Sequence, residues 1–234
     1  MLANQGTVCD GEILERYLCN RLSWHWSKAS PQKQYKTNKA LNLEKYIRHR
    51  LRLSPASAYI CEFKPFQLAL TGNSCKSALE ACNTLGFTHY VLLSRRNHLK
   101  VVTSATRAME QGLWHSTTTN ASQPIRLPLE CIPFDRGRYS LLECLEKLSK
   151  NWSELESVAP PNAIRISYED DIQSNPAKAA EKITRLIGLE NFKKPDLKKT
   201  SKGQLDEQIL NWDEICDLLK GTRFQWMAEL DTKK

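Results

Sequence analysis

Two arginines and a serine carry the clearest chemistry in this chain. Arg95 and Arg96 follow the apolar run His89-Tyr-Val-Leu-Leu-Ser94, and Ser104 comes eight residues after Arg96. Arginine presents a planar fork of donors that matches phosphate oxygens, and a hydroxyl on the inner face of the helix can add one more hydrogen bond. Where a strand hands over to a helix, the helix N-terminus adds unpaired N–H groups and the positive end of its dipole. A corner built this way suits a phosphate. The plain alternative is that Arg95 and Arg96 solvate a sheet edge and Ser104 is an ordinary helix residue.

The flanking pattern supplies the elements that such a corner needs. Residues 89–94 are rich in β-formers, and Leu99, Val102, Thr106, Met109 and Leu113 recur at helical spacing, which predicts strand, tight turn and helix. Upstream, Ile13, Leu14, Tyr17, Leu18 and Leu22 share one helical face behind an Asp10-Gly11-Glu12 turn, so a helix is expected to start near Glu12. Leu41 to Leu53 reads as a helix with a basic outer face, ended by Pro55. Ala58 to Phe63 is strand-like and is stopped by Lys64-Pro65, while Gly72 to Gly86 fits a helix.

Beyond the corner, Tyr139 to Val158 is amphipathic and Pro160-Pro161 closes it. Ala163 to Tyr168 is a third strand with Glu169-Asp170-Asp171 at its exit. Asn175-Pro176 then opens a helix that Gly188 caps. Leu205 to Leu219 reads as one last helix behind the basic loop Lys193–Gly203. Strands alternating with helices predict an α/β fold with a mostly parallel central sheet. Two stretches lack periodicity. Ser23 to Lys39 holds Trp24-His25-Trp26, which can stack on a sugar or pack on the core, and the Trp114–Asp135 connection has the length of a functional loop.

Composition narrows the partners. The 234 residues carry a net charge of +8, which favours an anionic partner without choosing one. Basic residues are spread along the chain rather than gathered in an arm, which speaks against nucleic acid. Eight cysteines form no C-x-x-C pair and none has metal-ligand spacing with a histidine, so buried thiols in a reducing cytoplasm are expected and a metal is not. No run suits a secretory signal or a membrane span. There is no G-x-x-x-x-G-K-[ST] loop, no G-x-G-x-x-G after a strand and no G-x-S-x-G elbow, so the usual P-loop, dinucleotide and α/β-hydrolase chemistries lack support.

Taken in order, the motifs resemble those of sulfotransferases that use 3′-phosphoadenosine 5′-phosphosulfate (PAPS), in particular their bacterial carbohydrate- and nodulation-type branch. Leu92-Leu-Ser-Arg-Arg-Asn97 with Ser104 resembles the 3′-phosphate-binding segment. Ile166-Ser-Tyr-Glu-Asp-Asp171 with Asn175-Pro176 through Leu189 resembles the strand, Y-E-D turn and helix that follow it. Asn211-Trp-Asp-Glu-Ile215 with Leu219-Lys-Gly-Thr222 resembles the closing helix, and Glu62-Phe-Lys64 resembles a G-F-K segment.

The resemblance implies a three-layer sulfotransferase-like fold related to P-loop NTPases. It implies one domain over 1–234, with 23–56 and 114–138 as acceptor-side insertions. It further implies PAPS as co-substrate, no metal, and a carbohydrate or other small molecule as acceptor. Carried over by position, Arg96 and Ser104 would hold the 3′-phosphate, and Lys199, Thr200 and Lys202 would close over the nucleotide. Gly11-Glu12 resembles a G-E segment whose glutamate faces the acceptor hydroxyl, which makes Glu12 the candidate general base; a first-turn glutamate that only favours the helix dipole is the alternative. The family's R/K-S-G-[ST]-T loop for the 5′-phosphosulfate does not occur in Met1–Val8. Either the chain starts downstream of that loop, or this relative binds a nucleotide or anionic glycan without catalysis.

Overall fold

Among the described residues, short runs form the strands and amphipathic stretches fold as helices whose apolar stripes face inward. The computed structural model describes residues 7–14, 40–54, 58–111, 123–134, 137–173, 175–188 and 204–229. The fold is α/β, with parallel strand pairing flanked by helices. The chain divides into two compact units, Met1–Leu92 with Asn151–Arg165 and Lys182–Pro195, and Leu93–Lys150 with Ile166–Glu181 and Asp196–Lys234.

In the first unit, β1 (Thr7–Glu12) pairs in parallel with β2 (Ala58–Glu62). Helix α1 (Leu43–Arg52) starts where Asn42 accepts the Lys45 N–H at 2.9 Å, an N-cap that satisfies one orphan donor. Helix α2 (Pro65–Leu70) opens on a proline, whose missing N–H would have been unpaired there in any case. Helix α3 (Cys75–Thr84) opens with a capping box between Ser74 and Ser77. Together these elements bury Ile13, Leu14, Leu43, Ile47, Leu68, Ala78, Ala81 and Cys82. Each fully buried leucine or isoleucine among them contributes about 1.5–3 kcal/mol relative to an exposed one.

Strand β3 (Val91–Ser94) pairs with β6 (Ile164–Ser167), and the contacts Tyr90–Ile164 and Ser94–Ile166 advance in the same sense along both. Helix α4 (His98–Gln111) follows β3 directly. The second unit holds an antiparallel hairpin of β4 (Ile132–Phe134) and β5 (Gly137–Tyr139). Helix α5 (Leu141–Val158) follows, and β6 leads through a π-turn (Tyr168–Ile172) towards helix α6 (Pro176–Leu186). The core of this unit gathers Leu99 and Val102 of α4, Leu141 and Leu145 of α5, and Leu205, Ile209, Ile215 and Leu219. Among the described residues no helix is long and apolar enough to cross a membrane.

Three local expectations change. The Asp10-Gly11-Glu12 segment ends a strand and is not a helix-entry turn; helical geometry begins at Ile13, and pairing with β2 supplies the reason. The single helix expected over Leu205–Leu219 is broken into α7 (Leu205–Gln208) and α8 (Trp212–Leu219), with α9 (Trp226–Glu229) beyond. Between the first two, Ile209 is extended and bridges Ile125, whose N–H donates to the Gln208 carbonyl at 3.0 Å and whose carbonyl accepts from Leu210 at 2.8 Å. A β-branched residue lends itself to that strand contact, and inter-segment pairing overrides helix periodicity. Tyr139 belongs to the hairpin, because Ser140 and Glu143 exchange capping bonds that start α5 at Leu141. The Trp24-His25-Trp26 cluster and residues 114–122 of the Trp114–Asp135 connection lie outside the described residues.

Candidate active site

In the first unit the chemistry gathers at the carboxyl ends of β1 and β2. Their register runs Thr7 with Ala58, Val8 with Tyr59 and Cys9 with Ile60, then jumps to Glu12 with Glu62, so β1 carries one extra residue. Gly11 absorbs it at a φ of 58°, in the left-handed region that favours glycine. A bulge of this kind re-aims the side chain that follows it. Here that side chain is Glu12. Its Oε1 lies 2.5 Å from Lys64 Nζ, and its Oε2 accepts from Gln67 Nε2 at 2.8 Å. Lys64 is the residue that caps α2 and Gln67 lies in its first turn, completely buried. The Glu12 side chain is 16% exposed and that of Lys64 37%, so both remain within reach of a solute.

Two residues before Glu12, Asp10 anchors the strand. It accepts from Arg50 Nε at 2.7 Å, from Arg50 Nη2, and from the Tyr59 hydroxyl at 2.6 Å. The bond to Asp10 holds the Arg50 guanidinium well above its ordinary pKa. Burial, followed by the bond to Asp10, does the same for the Tyr59 phenol, which therefore remains a donor. This network ties β1, β2 and α1 together beside the Glu12 carboxylate.

In the second unit the strand–helix corner exists as the sequence predicts, with an unexpected occupant. The backbone N–H groups of Arg96 and Asn97 both donate to Glu169, to Oε2 and Oε1 at 3.1 Å each. Burial alone would raise the Glu169 pKa, but these donors outweigh it and the net shift is downward. The anion at the start of α4 is thus the protein's own carboxylate. The Arg96 side chain is 58% exposed and donates from Nη2 to Asp170 Oδ1 at 2.7 Å. Arg95 lies over the Tyr168 ring at 4.6 Å. Asn97, 2% exposed, caps α4 by accepting the Lys100 N–H at 3.1 Å and donates from Nδ2 to the Met227 carbonyl at 2.9 Å.

Of the residues singled out from sequence, Arg96 and Ser104 belong to the second unit and Glu12 to the first. Ser104 is exposed on α4 and not on its inner face, which Leu99, Val102, Thr103 and Thr106 occupy. Lys199, Thr200 and Lys202 lie outside the described residues. Sequence reasoning missed the partners: Lys64 and Gln67 on Glu12, and Glu169 and Asp170 on the Arg96 corner. The only signals were Glu62-Phe-Lys64 and the acidic exit of the third strand, and neither spacing says which main-chain groups a carboxylate will reach.

A family model described as Stf0 sulphotransferase matches residues 66–215, more than half of the chain. Comparison with curated proteins and with solved structures gives no match. The matched range contains Gln67, Arg96, Ser104 and Glu169, whereas Glu12 and Lys64 precede it. With the α/β architecture and an arginine corner after a strand inside that range, the chain belongs to the Stf0 sulphotransferase family.

Proposed function

We propose that this chain transfers a sulfuryl group from PAPS to a hydroxyl of a carbohydrate or similar small acceptor, as in the bacterial carbohydrate-type branch, and releases adenosine 3′,5′-bisphosphate. The observation that carries the reading is the family match, which spans the Arg96 corner. In the reaction the acceptor oxygen forms a new bond to sulfur, the bond from sulfur to the 5′-phosphate oxygen breaks, and the acceptor proton goes to the Glu12 carboxylate. An alcohol is barely acidic, so a base within hydrogen-bond reach is required. Lys64, paired with Glu12 Oε1, adds a positive charge beside the reacting group.

Arg96 and Ser104 hold the 3′-phosphate, and the basic segment with Lys199, Thr200 and Lys202 covers the nucleotide. Sulfuryl transfer, like phosphoryl transfer, depends mainly on positioning and charge stabilisation. No R/K-S-G-[ST]-T segment occurs in the 234 residues, so no residue is assigned here to the 5′-phosphosulfate.

The test is a transfer assay with radiolabelled PAPS over a panel of mono- and disaccharides, with Glu12→Gln alongside. Activity should fall by about 10²–10⁴-fold in the variant, the range of a lost general base. Wild-type chain that binds adenosine 3′,5′-bisphosphate but labels no acceptor would overturn the enzymatic reading in favour of a non-catalytic nucleotide- or glycan-binding member of the family.

A further inference from the structure

We propose that Glu169 is a positioning residue for nucleotide selection: by fixing the main chain of Arg96 and Asn97 it presents the Arg96 guanidinium to a 3′-phosphate. The inference rests on the PAPS reading above and deepens it.

A helix start that faces a ligand phosphate normally offers its own N–H groups to it. At α4 those of Arg96 and Asn97 are already taken, by one carboxylate that spans both. A ligand phosphate must therefore be met by side chains. Arg96 is suited to this, because its side chain is more than half exposed and, among the described residues, only Nη2 of its guanidinium has a partner, Asp170. Five N–H donors in a rigid fork leave Nε and Nη1 for an incoming oxyanion. A guanidinium on an exposed side chain selects a phosphate sharply only if its own backbone is held still.

That backbone is held from both sides. Glu169 is itself steadied by the Ser167 hydroxyl, which donates to Oε2 at 3.2 Å, and the Ser167 N–H donates to Asp171 at 2.9 Å. On the far side Asn97 is buried and bonded to both Lys100 and Met227. Removing the Glu169 charge leaves two N–H groups sharing one neutral acceptor and sets an amide N–H against them.

Calorimetric titrations with adenosine 3′,5′-bisphosphate and with adenosine 5′-phosphate, on wild type, Arg96→Ala and Glu169→Gln, test the idea. The expected result for Glu169→Gln is about a tenfold loss of preference for the 3′-phosphorylated nucleotide, with adenosine 5′-phosphate affinity unchanged. A merely structural role would weaken both nucleotides alike, and that outcome overturns the proposal. Should Glu169→Gln fail to fold, Ser167→Ala takes its place, with a loss of preference in the same direction expected and an unchanged preference counting against Glu169. If Arg96→Ala abolishes the preference while Glu169→Gln retains it, the Glu169 inference fails and the PAPS reading stands. If wild type does not distinguish the two nucleotides, the PAPS reading itself fails.

Discussion

Breaking the Asp10–Arg50 pair is the most informative perturbation of stability, because the two possible single changes differ in what they leave buried. Asp10 is 6% exposed and Arg50 16%. Arg50→Met removes the guanidinium counter-charge from the Asp10 carboxylate while the Tyr59 hydroxyl still donates to it, and taking away one partner of a buried ion pair costs about 3–5 kcal/mol. Asp10→Asn removes the charge but keeps an acceptor, so it costs less, about 1.5–3 kcal/mol for a charged hydrogen bond weakened.

The double variant carries no carboxylate without its counter-charge. It should therefore be more stable than Arg50→Met alone, with a coupling energy of about 2 kcal/mol, inside the range for directly contacting residues. Urea unfolding followed by circular dichroism on the wild type and the three variants gives all four corners of the cycle. Additive costs, or an Arg50→Met penalty below about 1 kcal/mol, would refute the reasoning. Because Asp10 precedes Glu12 by two residues across the Gly11 bulge, the same variants should lower sulfuryl-transfer activity even where the chain is fully folded.

Two further outcomes are expected. Arg107 is 7% exposed, and its only side-chain hydrogen bond among the described residues is a long one of 3.5 Å from Nη2 to the Gln208 carbonyl; burial pushes its pKa down. Arg107→Met should leave thermal stability unchanged or raise it, and a loss of more than about 2 kcal/mol would show that the buried guanidinium is well compensated. Glu169 is held below its ordinary value of 4.5, so its contribution to stability is complete above that value and is lost as pH falls through the lower folded value. Acid titration of Glu169→Gln should accordingly show a shallower fall in stability below about pH 4.5 than wild type, and parallel curves would count against the assignment.

The Arg96 corner was legible because it is local. An apolar run, two arginines and a helical repeat from Leu99 lie within about two dozen residues, and short-range pattern is what periodicity reports. The same holds for α1, α3, α5 and α6, whose apolar stripes and caps are written in consecutive residues. Where long-range pairing competes, local reading failed: Ile209 left its helix to bridge Ile125, and Thr7–Glu12 became a strand because Ala58–Glu62 lies beside it.

The same boundary runs through the candidate site. Sequence alone determined that an arginine corner follows a strand and that a glutamate follows Gly11, since both depend on neighbours in the chain. Tertiary structure decided their partners. Glu12 meets Lys64 and Gln67 across more than fifty residues, and the Arg96 corner receives Glu169 across more than seventy. A carboxylate takes whichever donors the fold brings within about 3 Å, and no spacing along the chain encodes that distance.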